Sequence, residues 1–353
     1  MTIDAANHPA IVRPYAELTF SGKLRRLHVL AAEALTRYDL DRPRLAYLCW
    51  HTNLLYQVTT ASGERFVLRL AAPGWRTLDD LQAEAMWLTA LARDTTIQSP
   101  RVLPARSGEL VLPMSSPGTG PVRNTTLLSL VPGRLLGHYL TEPNLAKMGE
   151  LFAELHIHGS AWKPPAGFTA RRFEHWQSRG EENLLTGDRA AQLPAGAGVP
   201  VTLPSNQREL LGRIEQRVED AYAAINRSDL RVIHCDLWHD NITIHHGVLH
   251  PFDFEDTVWG FRAHDIAMAM LDLLETVGEA RYPGLLAAFR RGYEGLLPWP
   301  ADPIESFQIG RLLWKVNWFA RRRPERLLAE VERHEPVFRH FEQTGLVRAP
   351  ANS

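Results

Sequence analysis

The chain has 353 residues, with 39 Lys and Arg against 40 Asp and Glu and a formal net charge of −1, a balance that argues against broad electrostatic binding to nucleic acid or an anionic membrane. Apolar residues make up 45% and charged residues 22%, ordinary proportions for a folded chain and the wrong ones for general disorder. Its apolar runs fall far short of the roughly 18 residues of a spanning helix, the opening MTIDAANHPA lacks signal-peptide character, and two cysteines make no disulfide framework, so a cytoplasmic protein is expected.

In chain order, Leu24, Leu27, Val29, Leu30, Ala34 and Leu35 approximate a helical stripe over residues 20–40. LLYQVTT (54–60) and RFVLRL (65–70) flank the Gly-containing ASGE turn and read as a β-hairpin. A helix follows at 78–93, with Asp79 and Asp80 favourably placed at its N-terminus. Residues 100–112 read as strand, turn and strand, 113–121 as a Ser/Gly/Pro loop, and 125–131 as a strand ended by Pro132-Gly133. From Pro143 the pattern turns helical, to about His158. Residues 186–206 read as a loop and 206–226 as a helix. Short strands are expected near 231–234, 241–245 and 248–254, then helix from Ala263 to Thr344, broken at Pro283 and at Pro298–Pro303 and stopped by Gly345. The fold class is therefore α+β with two lobes: a β-rich part over 1–128 and a larger, mostly helical part over 129–353. A cleft between lobes is the usual place for a small ligand.

The stretch VIHCDLWHDNITIHHGVLHPFDFEDTVWGFRAHDIAMAM (232–270) carries the chemistry. Two short strands joined by a turn at His245-His246-Gly247 bring Asn241 and Asp253 to one end of a hairpin, and Asp236 precedes Asn241 by five residues. Two carboxylates and an amide are hard oxygen donors that suit Mg²⁺. A carboxylate not used by the metal can orient and deprotonate a hydroxyl.

The order H-x-D-x-x-x-x-N followed by D resembles the catalytic segment of the protein-kinase-like fold. The form IHCDLWHDNI, PFDFED and WGFRAHDIA is most similar to the aminoglycoside phosphotransferase/choline kinase family. RFVLRL resembles the third strand of that fold, LQAEAMWLTAL its first-lobe helix, LLSLVPGRLL its hinge and LFAELHIHG the helix after it. The resemblance implies ATP and Mg²⁺ as cofactors, with Asp236 accepting the proton of a substrate hydroxyl and Asn241 and Asp253 holding the metal. It implies His234 and Asp265 as supports of the catalytic loop, Arg69 in the phosphate-contacting lysine position, and Glu84 as its partner. Asn53 matches an asparagine of the phosphate loop, and backbone groups of Ser129, Leu130 and Val131 would meet adenine. Only eleven residues separate Asp253 from Asp265 and no A-P-E follows, which favours a small-molecule acceptor over a peptide. Asp236, Glu255 and Asp256 lend the site acidity, so an amine-bearing acceptor is expected.

The chain departs from the family pattern in four places. The turn before Leu54 has no glycine, position 69 is arginine, and Cys235 and Trp238 stand where the pattern has glycine and histidine. The cations number 39 − 4 = 35 arginines and four lysines, Lys23, Lys147, Lys163 and Lys315, so no lysine is available at the phosphate-contacting strand. Two other functions stay open at this point: a nucleotide-binding regulator without turnover, and a metal-dependent hydrolase built on His239, His245, His246 and His250. Asp256 is either a second acceptor-site carboxylate or a turn cap.

Overall fold

The structure, a computed structural model, describes residues 13–177, 182–186 and 203–347, so the loop expected over 186–206 falls largely outside the described residues. The chain packs as two units, one of residues through Ala85 with Pro100–Leu130 and the other of Met86–Ser99 with Val131 onward.

In the first unit, Thr19 caps helix α1 (Phe20–Leu35) by accepting the Gly22 N–H on its hydroxyl oxygen. The buried stripe Leu27, Leu30, Ala31, Ala34 and Leu35 packs on one face of an antiparallel sheet. Val29 of the expected stripe is exposed instead. That sheet contains β1 (Arg44–Trp50), β2 (Leu54–Thr59) and β3 (Arg65–Leu70). Alternation in β2 buries Leu54, Tyr56 and Val58 against α1, together with Phe66, Leu68 and Leu70 of β3. Period two then turns Val67 and Arg69 to the opposite face. There Leu81 and Ala85 of helix α2 (Leu78–Asp94) form a second small core with Ala71 and Val111.

The order is β1-β2-β3-β6-β4, with β5 also on β6, where β4 is Val102–Leu103, β5 is Leu112–Met114 and β6 is Arg123–Ser129. The strand, turn and strand expected over 100–112 are present as β4, a turn closed by the Gly108 N–H on the Ala105 carbonyl, and β5, and both strands pair with β6. Strand β1 is an addition to the sequence reading. It is an edge strand with a largely exposed burial pattern and a register shift between Tyr47 and Cys49, so it lacks the alternation that marks β2.

The second unit is mostly helical. Strand β7 (Arg134–Leu135) joins the later hairpin, and helix α3 (Glu142–Ala161) carries proline in its first turn. Helix α4 (Ser205–Ala224) precedes β8 (Arg231–Ile233), β9 (Ile242–His245) and β10 (Val248–Pro251). Strand β11 (Val258–Gly260) pairs with β8. Helix α5 (Arg262–Glu294) crosses α3 so closely that a Cβ on Gly149 would lie 1.9 Å from the Phe289 carbonyl oxygen, and one on Gly292 1.9 Å from that of Ala146. The expected break at Pro283 falls instead at Gly278, whose φ of 73° is left-handed. Pro283 then lies in the opening turns of the following stretch, where a proline is more easily held. Helices α6 (Ile304–Arg322) and α7 (Leu327–Thr344) complete the unit, and Gly345 ends α7 at φ 75°. Among the described residues no helix is long and apolar enough to cross a membrane.

Candidate active site

Each site residue is placed by its own unit. In the first, Arg69 and Glu84 are buried, with 4% and 2% of their surface exposed. Arg69 Nη1 donates to Glu84 Oε1 at 3.0 Å and Nη2 donates to Oε2, a two-point guanidinium–carboxylate contact that lysine does not reproduce. The pair exists because the inward face of β3 needs a counter-charge, and α2 supplies it nearly two turns into the helix. Asn53, just before β2, accepts the Ala72 N–H on Oδ1 at 3.0 Å, so it ties the turn before β2 to the chain leaving β3. Ser129 N–H donates to the Arg101 carbonyl at 2.8 Å and Leu130 N–H to that of Arg65 at 3.1 Å. Two of the three amides of 129–131 are thus spent within the first unit.

In the second unit, β8 leads into the loop that holds Asp236. Cys235 is fully buried at φ 66°, a left-handed position that glycine adopts with less strain than cysteine. Its N–H donates to Asp265 Oδ1 at 2.8 Å. Asp265 Oδ2 in turn meets His156 Nε2 at 3.1 Å, and His156 Nδ1 meets the Tyr293 hydroxyl at 2.9 Å. Burial pushes the His156 pKa down, Asp265 notwithstanding, so the neutral ring donates to Asp265 and accepts from Tyr293. No local motif distinguishes His156 in the sequence from any other histidine near a helix end.

His234 is also fully buried, and burial lowers its pKa. Its Nδ1 accepts the Asp236 N–H at 3.3 Å, which leaves the proton on Nε2 to donate to the Phe252 carbonyl at 3.1 Å. Phe252 N–H reaches back to the Asn241 carbonyl at 2.9 Å. The β9–β10 turn, His246-Gly247, has positive φ at both residues, 48° and 79°, the geometry of a type I′ hairpin. With Pro251 opposite Ile242, the register sets Asn241 and Asp253 at the open end of that hairpin. Asp253 itself is left-handed at φ 63°, a conformation aspartate tolerates better than most residues.

Asn241 Nδ2 donates to the Asp236 carbonyl at 2.8 Å and lies 3.4 Å from Asp236 Oδ2. With Nδ2 turned into the loop, Oδ1 is the atom left to a cation. An amide oxygen and the Asp253 carboxylate are the hard donors that Mg²⁺ takes, in a number that leaves room for water and phosphate oxygens. The residues present therefore fit such an ion. Among the described residues no group of three or more His, Cys, Asp and Glu side chains gathers as a metal cage, so the histidine-rich segment does not form a zinc cage.

The structure adds one residue that no spacing in the sequence signals. Arg311 of α6 donates from Nη2 to Asp236 Oδ1 at 3.0 Å. Arg171 lies 3.6 Å from Asp256 Oδ1. Arginines thus offset part of the acidity read from Asp236, Glu255 and Asp256.

The sequence model of the phosphotransferase enzyme family matches residues 51–299. A search of curated proteins finds no match. Among solved structures, a microcompartment-associated aminopropanol kinase superposes with a TM-score of 0.72 at 21% identity, over 91% of this chain and 99% of that one. An amicoumacin kinase solved with AMP-PNP, Ca²⁺ and its ligand gives 0.73 at 16% identity, over 94% and 97%. A choline/ethanolamine kinase family protein from Mesorhizobium loti gives 0.58 at 20% identity, over 91% and 95%. These likenesses establish the two-lobed kinase-like fold.

Proposed function

This chain belongs to the phosphotransferase enzyme family, and from that premise we propose that it transfers the γ-phosphoryl group of ATP, with Mg²⁺, to a hydroxyl of a small, amine-bearing molecule in the cytoplasm. The observation that carries the reading is the loop from His234 to Asp253, which closes on itself through Asn241, His234 and Phe252 beside the Asp236 carboxylate.

In this reading Asp236 orients the acceptor hydroxyl and takes its proton as the oxygen bonds to phosphorus. The bond from phosphorus to the β–γ bridging oxygen breaks, ADP leaves, and the proton passes from Asp236 to solvent. Asn241 Oδ1 and Asp253 would hold Mg²⁺, which would supply neutralisation of phosphate charge. Arg69, fixed by Glu84, meets phosphate oxygens, and the Val131 amide meets the base. His234 and Asp265 support the loop without touching substrate. Phosphoryl transfer demands mainly positioning and charge neutralisation, so one base, one metal site and one cation suffice. The short span between Asp253 and Asp265, filled by a single 3₁₀ turn and β11, supports a small acceptor. Glu255 and the amine-directed activities named for the aminopropanol kinase and the choline/ethanolamine kinase family protein support an amine on it.

Two measurements test the reading. Thermal unfolding with ATP and Mg²⁺ should show stabilisation, and its absence overturns nucleotide binding. Coupled turnover with aminopropanol, ethanolamine, choline and aminoglycosides should reveal an acceptor. Nucleotide stabilisation without turnover on any acceptor class favours the regulator.

A further inference from the structure

Asp236 is held from two sides. Asn241 Nδ2 faces Oδ2 at 3.4 Å, and Arg311 Nη2 donates to Oδ1 at 3.0 Å. Arg311 is itself constrained. Its side chain is 12% exposed, and its guanidinium carbon sits 4.4 Å from the ring centroid of Trp314. Helix α6, which carries it, is pinned on the same stripe one turn before and one turn after. Gln308 Nε2 donates to the Tyr282 hydroxyl at 3.3 Å, and Lys315 Nζ donates to Asp272 Oδ1 and Glu275 Oε2 at 2.8 and 2.6 Å. Of these four contacts, the Arg311 one runs from α6 to the loop after β8 and the other three run to α5.

We infer that Arg311 is a positioning residue for phosphoryl transfer, fixing the rotation of the Asp236 carboxylate so that a lone pair stays aimed at the acceptor hydroxyl; the inference rests on the catalytic reading of Asp236. An aspartate with one partner swings about its last torsion, whereas one held at both oxygens does not. A lysine at 311 would supply the charge without the planar fork.

The test is a cycle in the full-length protein, with ATP and Mg²⁺ and the best acceptor of the panel, or water as acceptor where none is taken. Arg311→Met should lower kcat by about 10²-fold, the scale of a misplacement near 1 Å, while ATP KM stays within about threefold. Arg311→Lys should recover part of that loss. Adding Arg311→Met to Asp236→Asn should cost nothing further, because Arg311 acts only through Asp236. Full kcat in Arg311→Met, or additive losses in the double variant, overturns the inference and leaves the function reading standing. Full kcat in Asp236→Asn overturns both. Unfolding midpoints measured alongside separate these outcomes from misfolding, and a charge-only role is overturned as well if Arg311→Lys shows no gain over Arg311→Met.

Discussion

Replacing Glu84 by glutamine removes the counter-charge of a guanidinium that is 4% exposed, and keeps the shape. Removing one partner of a buried ion pair costs about 3–5 kcal/mol, because the remaining charge has lost water and now loses that carboxylate as well. At roughly 1.3 °C per kcal/mol for a chain of 353 residues, the unfolding midpoint should fall by at least about 4 °C if the whole chain melts together. It should fall further if the first unit melts alone. The double variant Arg69→Met/Glu84→Leu removes both charges and should recover to within about 1 kcal/mol of the parent, since well-packed apolar pairs replace buried ion pairs at little cost. Calorimetry with and without ATP–Mg²⁺ then separates structure from function. A ligand at 100 times its Kd adds about 2.7 kcal/mol to the parent, and the double variant should lose most of that gain while keeping its stability. A drop below about 2 °C for Glu84→Gln, or equal instability in single and double variants, would refute the account of the pair as a buried, desolvated contact.

Asp236→Asn should lower kcat by about 10³-fold while leaving the ATP Kd within about threefold, by single-turnover kinetics and calorimetry. Equal loss of both would contradict its role. Asp253→Ala should abolish the Mg²⁺ dependence of nucleotide stabilisation, and unchanged dependence in a Mg²⁺ titration would move the metal elsewhere. His334 of α7 is buried, with its pKa pushed down to about 4 by burial first and by Arg333 and Lys315 after it. The unfolded chain binds this proton near pH 6.5 and the folded one only near 4. The stability His334 preserves is therefore complete above about 6.5 and lost as pH falls towards 4, some 3 kcal/mol in all. His334→Phe should flatten that part of a stability–pH curve measured by urea unfolding, and an unaltered slope would assign it to other groups.

What the sequence discloses depends on how local the physics is. The β9–β10 hairpin is legible because a turn at His245-His246-Gly247 and strand-like runs on either side need no distant partner. The contacts linking His234, Asp236, Asn241, Phe252 and Asp265 lie within one short stretch, where spacing carries information. Strand β1 is hidden because an edge strand with both faces partly wet has no alternation to show. The short strands β4 and β5 are legible from the turn at Ser107-Gly108 between them, but their common partner β6 is not, since that pairing is not local. The break in α5 goes to Gly278, which alone can take φ 73° without strain, and not to Pro283, which the opening turns of a helix accommodate. Arg311 lies 75 residues from Asp236, on a helix whose sequence reads as an ordinary amphipathic stripe. His156, likewise, gains its meaning only from Asp265 across the α3–α5 packing.

Arginine at position 69 also decides how this protein meets electrophiles. An ε-amine that sheds its proton is a nucleophile, open to acylation and Schiff-base formation, whereas a guanidinium stays protonated and inert under the same conditions. Lys23 is the only lysine in the sequence before Val131, and it sits on α1, on the face of the sheet opposite Arg69. Nucleotide-shaped acylating reagents that depend on a lysine of the third strand would find none on β3 of this chain. A labelling survey that relies on that lysine would draw no signal from β3 here.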